Sequence, residues 1–423
     1  MGDVSDKLGR LAQTKADIRA ALEEKGMTVE DEDPFAMYAD KIRDIPVRGA
    51  PDPNGALDPI EVYRTTRPPD WLPMPEPQDG EIYLLIHIPD KASSLLAFTA
   101  TCTGNYTVEM GTVVDGKFVQ RSTITLPSGT KYDEELIADD YGDLTGDGYK
   151  QAVMKVSGSD LTSWGPETHT KKKKPAGFVG WNIVEMSGRG EAIEHLTCDG
   201  LSQLRYFALY GENGITSMEA MFRNCKSLIA VLCMQTQNVT TVKNAFYYCE
   251  ALVAIPGLDL GKTKTMDSVF YLCTALRAIP ELNTGNVEIM DRAFYGCTVL
   301  RSLPTMDMSK TKTMTAMCQN SRGLVSVPWI DTGSLTGSIE GAFSGCDSLA
   351  ALRFNSVATG WSGSRIALLN ASMGHRALVE MFESLPVVTG TATNISLTGN
   401  PGVAELTAAE KAIATNKGWT LTL

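Results

Sequence analysis

Along the second half of the chain, apolar residues return at one fixed interval. The phrases "MFRNCKSL" from 221, "AFYYCEAL" from 245, "VFYLCTAL" from 269 and "AFYGCTVL" from 293 are each 24 residues apart. A weaker copy starts at 317 with Ser321 in the place of the cysteine, and "AFSGCDSL" at 342 follows after a step of 25. Other columns keep this register. Leu204, Leu228, Leu252, Leu276, Leu300, Leu324 and Leu349 form one, and Met218, Val242, Met266, Met290, Met314 and Ile339 another. A third holds Val231, Ile255, Ile279, Leu303, Val327 and Leu352. A period of this length predicts a solenoid of leucine-rich type, in which each coil covers its apolar side with the next. In "AFYGCTVLRSLP", Phe294, Cys297, Leu300 and Leu303 should therefore point inward and the residues between them face water. Pro304 should mark the end of a short strand, where one fewer N–H is needed. The predicted solenoid spans 186–423.

Upstream the pattern changes. The runs "EIYLLIHIPD", "LLAFTATCTG", "NYTVEMGTVV", "GKFVQRSTITL" and "YKQAVMKVSG" are short, rich in β-forming residues and separated by turns. They predict a β-sandwich over 79–185. Residues 46–78 are proline-rich and read as an extended linker, with Trp71 as an anchor on the domain that follows. Over 1–45 the pattern is helical, with Leu8, Leu11, Ile18 and Leu22 on an a/d stripe interrupted by Lys15. So short a stripe is marginal alone. It packs either on the next short helix, "DPFAMYADKIRDI", or on identical chains. The expected fold class is multidomain: an N-terminal helical segment, a β-sandwich spacer and a C-terminal leucine-rich-repeat solenoid. Within the last, "GWSGSRIALLNASMGHRALVEMFESLP" at 360–386 breaks the repeat. Ala377, Leu378, Met381 and Phe382 have helical spacing there, which predicts an enlarged coil or cap.

The 423 residues are 43% hydrophobic and 21% charged, as in a folded chain of more than one domain. A net charge of −12 argues against nucleic acid as a partner. Lys171 to Lys174 read as a solvated loop. The opening "MGDVSDKLGRLAQTK" has no apolar signal-peptide core, and no run of about 18 apolar residues occurs, so neither ordinary export nor membrane insertion is expected. Nine cysteines are too few and too odd a set for a disulfide framework. Cys225, Cys249, Cys273, Cys297 and Cys346 come from separate coils, form no CxxC and tolerate Ser321. They read as a ladder of buried free thiols rather than a metal site. In "DLTGDG", Asp143, Thr145, Asp147 and Gly148 match the start of a calcium loop, but its twelfth position is Met154, so a plain turn is favoured. The four histidines are scattered, and no phosphate loop, zinc motif or nucleophile elbow stands in a supporting context. No enzyme and no cofactor are expected.

The phrase MFxxCxxL…IP…M resembles the BspA-like leucine-rich repeats of bacterial surface and phage proteins. The closing "LTAAEKAIATNKGWTLTL" is similar to the end segment of such arrays, which implies a short helix and then a final strand after Gly418 and Trp419. Near the N-terminus, "KADIRAALEEKG…PFAMYADKI" resembles tail-fibre and other tail proteins of phages of Gram-positive bacteria. "NYTVEMG" and "GDGYKQAVMKV" resemble polycystic-kidney-type immunoglobulin-like domains, which often act as spacers, although "EMGTVVDGK" stands where that family has an acidic, glycine-rich turn. Together these resemblances imply a phage tail fibre or receptor-binding protein. Its N-terminal segment would join other tail or baseplate proteins, and Leu8, Leu11, Ile18 and Leu22 would hold a homotrimer. Its solenoid would grip a glycan or protein on the host cell surface. Such a part is assembled in the host cytoplasm and resides in the virion. The alternative is a bacterial surface adhesin or protein-interaction module, which needs an export signal or wall anchor. For the binding surface, Tyr247, Tyr271 and Tyr295 follow the phenylalanine column on successive coils, with Tyr248 beside the first. Their rings can stack on sugars or simply cover the coils. Arg277 and Arg301, one period apart, can hold anionic polymers by forked hydrogen bonds.

Overall fold

Asp58 starts the first described helix, α1 (Pro59–Thr66), inside the stretch expected to be linker. Its carboxylate accepts the Ile60 N–H at 2.9 Å, and Pro59 takes the first helical position, where its missing N–H costs nothing. Val62 and Tyr63 then pack with Trp71, Tyr83, Leu85 and Tyr206, so this segment covers a sheet. The computed structural model describes residues 55–90, 93–137, 141–142, 144–167, 182–331, 333–336, 338–355, 365–388 and 393–423, all within one compact unit, Pro51–Leu423. Leu8, Leu11, Ile18 and Leu22 lie outside the described residues, as do Asp143 and Lys171 to Lys174.

The described part of the chain is mostly β, with few helices. Seven strands come first: β1 (Glu81–Pro89), β2 (Ser93–Thr101), β3 (Asn105–Val114), β4 (Lys117–Pro127), β5 (Lys131–Ile137), β6 (Tyr149–Gly158) and β7 (Ser163–Pro166). Four more follow: β8 (Ile183–Arg189), β9 (His195–Leu196), β10 (Tyr206–Tyr210) and β11 (Ala230–Val231). They form a seven-stranded sheet, β11-β10-β8-β1-β6-β3-β4, and a four-stranded sheet, β5-β2-β7-β9. Strand β1 is buried on both faces from Ile82 to Ile88, which explains its unbroken apolar run. Phe98 of β2 meets Tyr106 of β3 at 6.4 Å between ring centres, so one core joins the two sheets.

Both sheets change character at the same place. Strand β1 is antiparallel to β6 and β8, whereas β8, β10 and β11 run parallel, as do β7 and β9. Strand β8 spans the position at 185/186 where the sequence pattern divides sandwich from solenoid. It is the last antiparallel partner of β1 and the first parallel partner of a coil. The apolar core accordingly runs without a break from Ile82 to Trp419.

The C-terminal part is a β-solenoid of about nine turns. Two sets of backbone bonds build it. Phe222, Phe246, Phe270 and Phe294 each donate to the next coil, to Ala245, Val269, Ala293 and Met317, at 2.8–2.9 Å. Within a coil the following cysteine N–H bonds back to its own phenylalanine carbonyl, as Cys249 does to Phe246 at 3.1 Å. Such tight turns need a left-handed residue just before the cysteine. Asn224, Tyr248, Leu272, Gly296 and Asn320 all have positive φ there. The phenylalanine rings stack inside, at 5.2, 5.3 and 5.8 Å between centres.

After β12 (Ile330–Asp331), β13 (Phe354–Asn355) and β14 (Ile366–Ala367) comes α2 (His375–Ser384), which buries Leu378, Met381 and Phe382. Then follow β15 (Thr393–Ser396), a 3-10 turn (Pro401–Glu405), α3 (Ala408–Thr415) and β16 (Trp419–Thr422). Strands β14, β15 and β16 close the array as a parallel sheet. Lys417 caps α2 by donating to the carbonyls of Phe382, Glu383 and Leu385 at 3.1, 2.6 and 2.9 Å.

Candidate functional site

A solenoid repeats whatever its surface columns carry, and here one column carries tyrosine. Tyr247 and Tyr271 stack at 4.6 Å and 13°, and Tyr271 and Tyr295 at 4.6 Å and 11°. Coil spacing sets that distance, because equivalent side chains on hydrogen-bonded coils lie one strand separation apart. Tyr248 stands edge-on to Tyr247 at 4.8 Å, with the Lys226 ammonium 5.6 Å from its ring centre. Asn320 donates to the Tyr295 hydroxyl at 3.0 Å and ends the row. All four tyrosines are half-buried. Burial, with the neighbouring phenols Tyr295, Tyr247 and Tyr248, raises the Tyr271 pKa.

The four predicted tyrosines are thus brought together, but the broad faces within the row are occupied by one another. What the row presents outward is edges and hydroxyls. That favours hydrogen bonding to a polar partner over stacking of a sugar on each ring.

Arg277 and Arg301 are brought together elsewhere. Both are exposed and line a groove of about 470 Å³ with Thr298, Val299, Gly323 and Val325. None of the tyrosines lines this groove. Val299 and Val325 are each 40% exposed, so two guanidinium groups and two apolar side chains share one depression. The valines were not read as site residues from the sequence: Val325 continues the arginine column one period after Arg301, and Val299 stands in a column of small residues with Ala275 and Gly323. Asn320 and Lys226 were missed as well, since contacts across coils become visible only when columns one period apart are read together.

Inside, the cysteine column is a ladder of thiol donors. The Sγ of Cys249, Cys273 and Cys297 each reaches the carbonyl of Phe222, Phe246 and Phe270 in the preceding coil, at 3.1, 3.2 and 3.1 Å. Ser321 makes the same bond to Phe294 at 2.6 Å, which is why serine fits this column. All nine cysteines are free, and burial pushes the thiols of the column well up. Among the described residues no cluster of three or more His, Cys, Asp or Glu is arranged to hold a metal ion. Within "DLTGDG", Thr145 to Gly148 form a turn in which Gly148 N–H bonds to Thr145 O at 2.9 Å and Gly146 N–H to Asp70 at 2.6 Å. No helix among the described residues is long and apolar enough to cross a membrane.

A family described as "Mycoplasma protein of unknown function, DUF285" matches residues 216–327, the stretch that holds the regular coils, the tyrosine row and the arginine groove. The repeat region fits a BspA-like repeat domain. No curated protein matches the chain.

Proposed function

We propose that the protein attaches a phage virion to the surface of its bacterial host and that the solenoid is the part that holds the host. The observation that carries this reading is the outward column of stacked tyrosines, with the arginine groove as a second patch on the same coils. A regular array displaying one side-chain type at a fixed spacing suits a repetitive ligand such as a cell-wall glycan, because weak contacts repeated along a polymer add up. The match to a repeat family supports the repeat array that would carry this role.

The assignment to a tail fibre rests on the N-terminal phrase "KADIRAALEEKG…PFAMYADKI" and its resemblance to phage tail proteins. In this reading residues 1–45 join the protein to other tail or baseplate proteins, and Leu8, Leu11, Ile18 and Leu22 form the seam of a homotrimer. The two-sheet region acts as a spacer, in the manner of the immunoglobulin-like domains its phrases resemble. Because strand β8 belongs both to that region and to the solenoid, the spacer transmits orientation rather than acting as a free joint. Electron microscopy of phage particles labelled with antibody against this chain tests the assignment. Labelling at the tail tip supports it, whereas unlabelled particles and labelled bacterial surfaces would establish an adhesin instead.

A further inference from the structure

Outside the solenoid face, one small cavity of about 190 Å³ lies where the segment around Trp71 crosses the end of the seven-stranded sheet. It is lined by Trp71, His87, Asp147, Tyr149, Gln203 and Arg205, among others. Two of these carry buried polar atoms without a hydrogen-bond partner: the Trp71 Nε1–H and the His87 Nε2, in side chains only 3% and 4% exposed. Leaving a buried donor or acceptor unpaired is costly, and native proteins retain few of them.

The walls are held rigidly. The Trp71 and Leu72 carbonyls accept from the Arg67 guanidinium at 3.3 and 2.5 Å. Gln151 accepts the Leu72 N–H and donates to the Asp70 carbonyl, both at 2.8 Å. Trp71 meets His87 edge-on at 4.8 Å, and His87 stacks on Tyr149 at 5.2 Å. Arg205 stands 5.6 Å from the Trp71 ring and has no ion-pair partner among the described residues. Asp147 is exposed and lines the cavity opposite in charge to Arg205, without pairing to it.

We infer that this cavity binds a small hydroxylated carboxylic acid of the uronic-acid type. The Trp71 N–H and the Arg205 guanidinium supply donors for the carboxylate, while Asp147 and Gln203 accept from hydroxyls. Trp71 and arginine are donor-only groups, so the ligand atom facing them must be an acceptor. The volume lies below the roughly 300–1,000 Å³ typical of drug-sized ligands and limits the occupant to a single residue, either a free acid or the end of a polymer. Burial, joined by the charges of Arg205 and Arg67, lowers the His87 pKa to about 4, so the imidazole is neutral near pH 7 and offers one nitrogen to the ligand without adding charge.

The site shares no residue with the tyrosine row or the arginine groove, so its test leaves the attachment reading untouched. The full chain, with ¹⁵N-labelled histidine, is titrated with glucuronate, glucose and acetate while the His87 imidazole signal is followed. Glucuronate is expected to move that signal, and glucose and acetate to bind at least tenfold more weakly. Trp71→Phe keeps a ring and removes the N–H, and Arg205→Gln removes the charge. Each should weaken glucuronate binding tenfold or more. A Trp71→Phe protein that fails to fold leaves Arg205→Gln and the wild-type titration to decide. Equal binding of glucose would overturn recognition of the carboxylate, equal binding of acetate would overturn that of the hydroxyls, and no response to any of the three would overturn the site. A uronate-terminated oligosaccharide distinguishes the sources: competition with glucuronate supports a polymer end as ligand, and exclusion supports the free acid.

Discussion

Cys273 is fully buried, donates its S–H to the Phe246 carbonyl at 3.2 Å and has a pKa pushed well above the ordinary thiol range by burial. Ser321 occupies the equivalent place two coils later with the same bond. Cys273→Ser should therefore change stability by no more than about 1 kcal/mol, because the donor is kept and the volume is similar. Cys273→Leu overfills the column and should cost about 1–3 kcal/mol. Chemical denaturation of the two variants checks both figures. His87 carries the second prediction at this scale. Its folded pKa of about 4 lies below the ordinary 6.5, so between those values the unfolded chain binds a proton that the folded chain refuses. Stability is then full above pH 6.5 and falls as pH drops toward 4. From pH 7.5 to pH 5 the loss assigned to this residue is about 2 kcal/mol. Denaturation curves at the two pH values should show it in the wild type and lack it in His87→Asn. An equal loss in both would mean that other groups carry the acid sensitivity. The apolar character of the His87 strand was legible in the sequence, but its partners Trp71, Tyr149 and Arg205 come from distant segments that nothing local joins to it.

The coil is the element that the sequence spells most fully. The regular coils place phenylalanine, cysteine and leucine inward at the same offsets, so the columns state the packing directly. The tight turn before the cysteine is legible only in part. Glycine marks it at Gly296, where φ is +67°, but Asn224, Tyr248, Leu272 and Asn320 adopt the same left-handed backbone. At Gly296 a Cβ would stand 2.4 Å from Leu272 Cδ2 of the neighbouring coil, so the missing side chain also leaves room for that leucine. Gly296→Ala should cost about 1–2 kcal/mol from the left-handed backbone, with a further loss if Leu272 cannot swing away. A drop in the denaturation midpoint with an unchanged denaturant slope would bear this out. Helix α2 was likewise visible in the spacing of Leu378, Met381 and Phe382. Helix α1 was not, because prolines on both sides suggest an extended chain. Its signal was the Asp58–Pro59 pair, a helix start hidden among residues that usually prevent helices.

For the molecule as a whole, the decisive feature is that sheets and solenoid share strand β8 and one core. The sequence suggests a boundary there, because its apolar period changes from alternation to a 24-residue repeat. A change of period does not require a change of core. The tyrosine row was legible as a column, yet the mutual stacking that leaves only edges and hydroxyls outward follows from coil spacing and not from residue type. This sharpens the test of attachment. Changing Tyr247, Tyr271 and Tyr295 together to serine would remove two stacked pairs, each contributing about 0.5–1.5 kcal/mol, and so confuse binding with stability. Changing all three to phenylalanine keeps the stack and removes the hydroxyls. The most direct measurement is therefore binding of the full-length protein to host cells, wild type against the triple phenylalanine variant, with the thermal midpoint of each recorded. At least a tenfold loss of cell binding at a nearly unchanged midpoint is expected. Undiminished binding by a variant of unchanged stability would contradict this and remove the tyrosine row from the attachment surface.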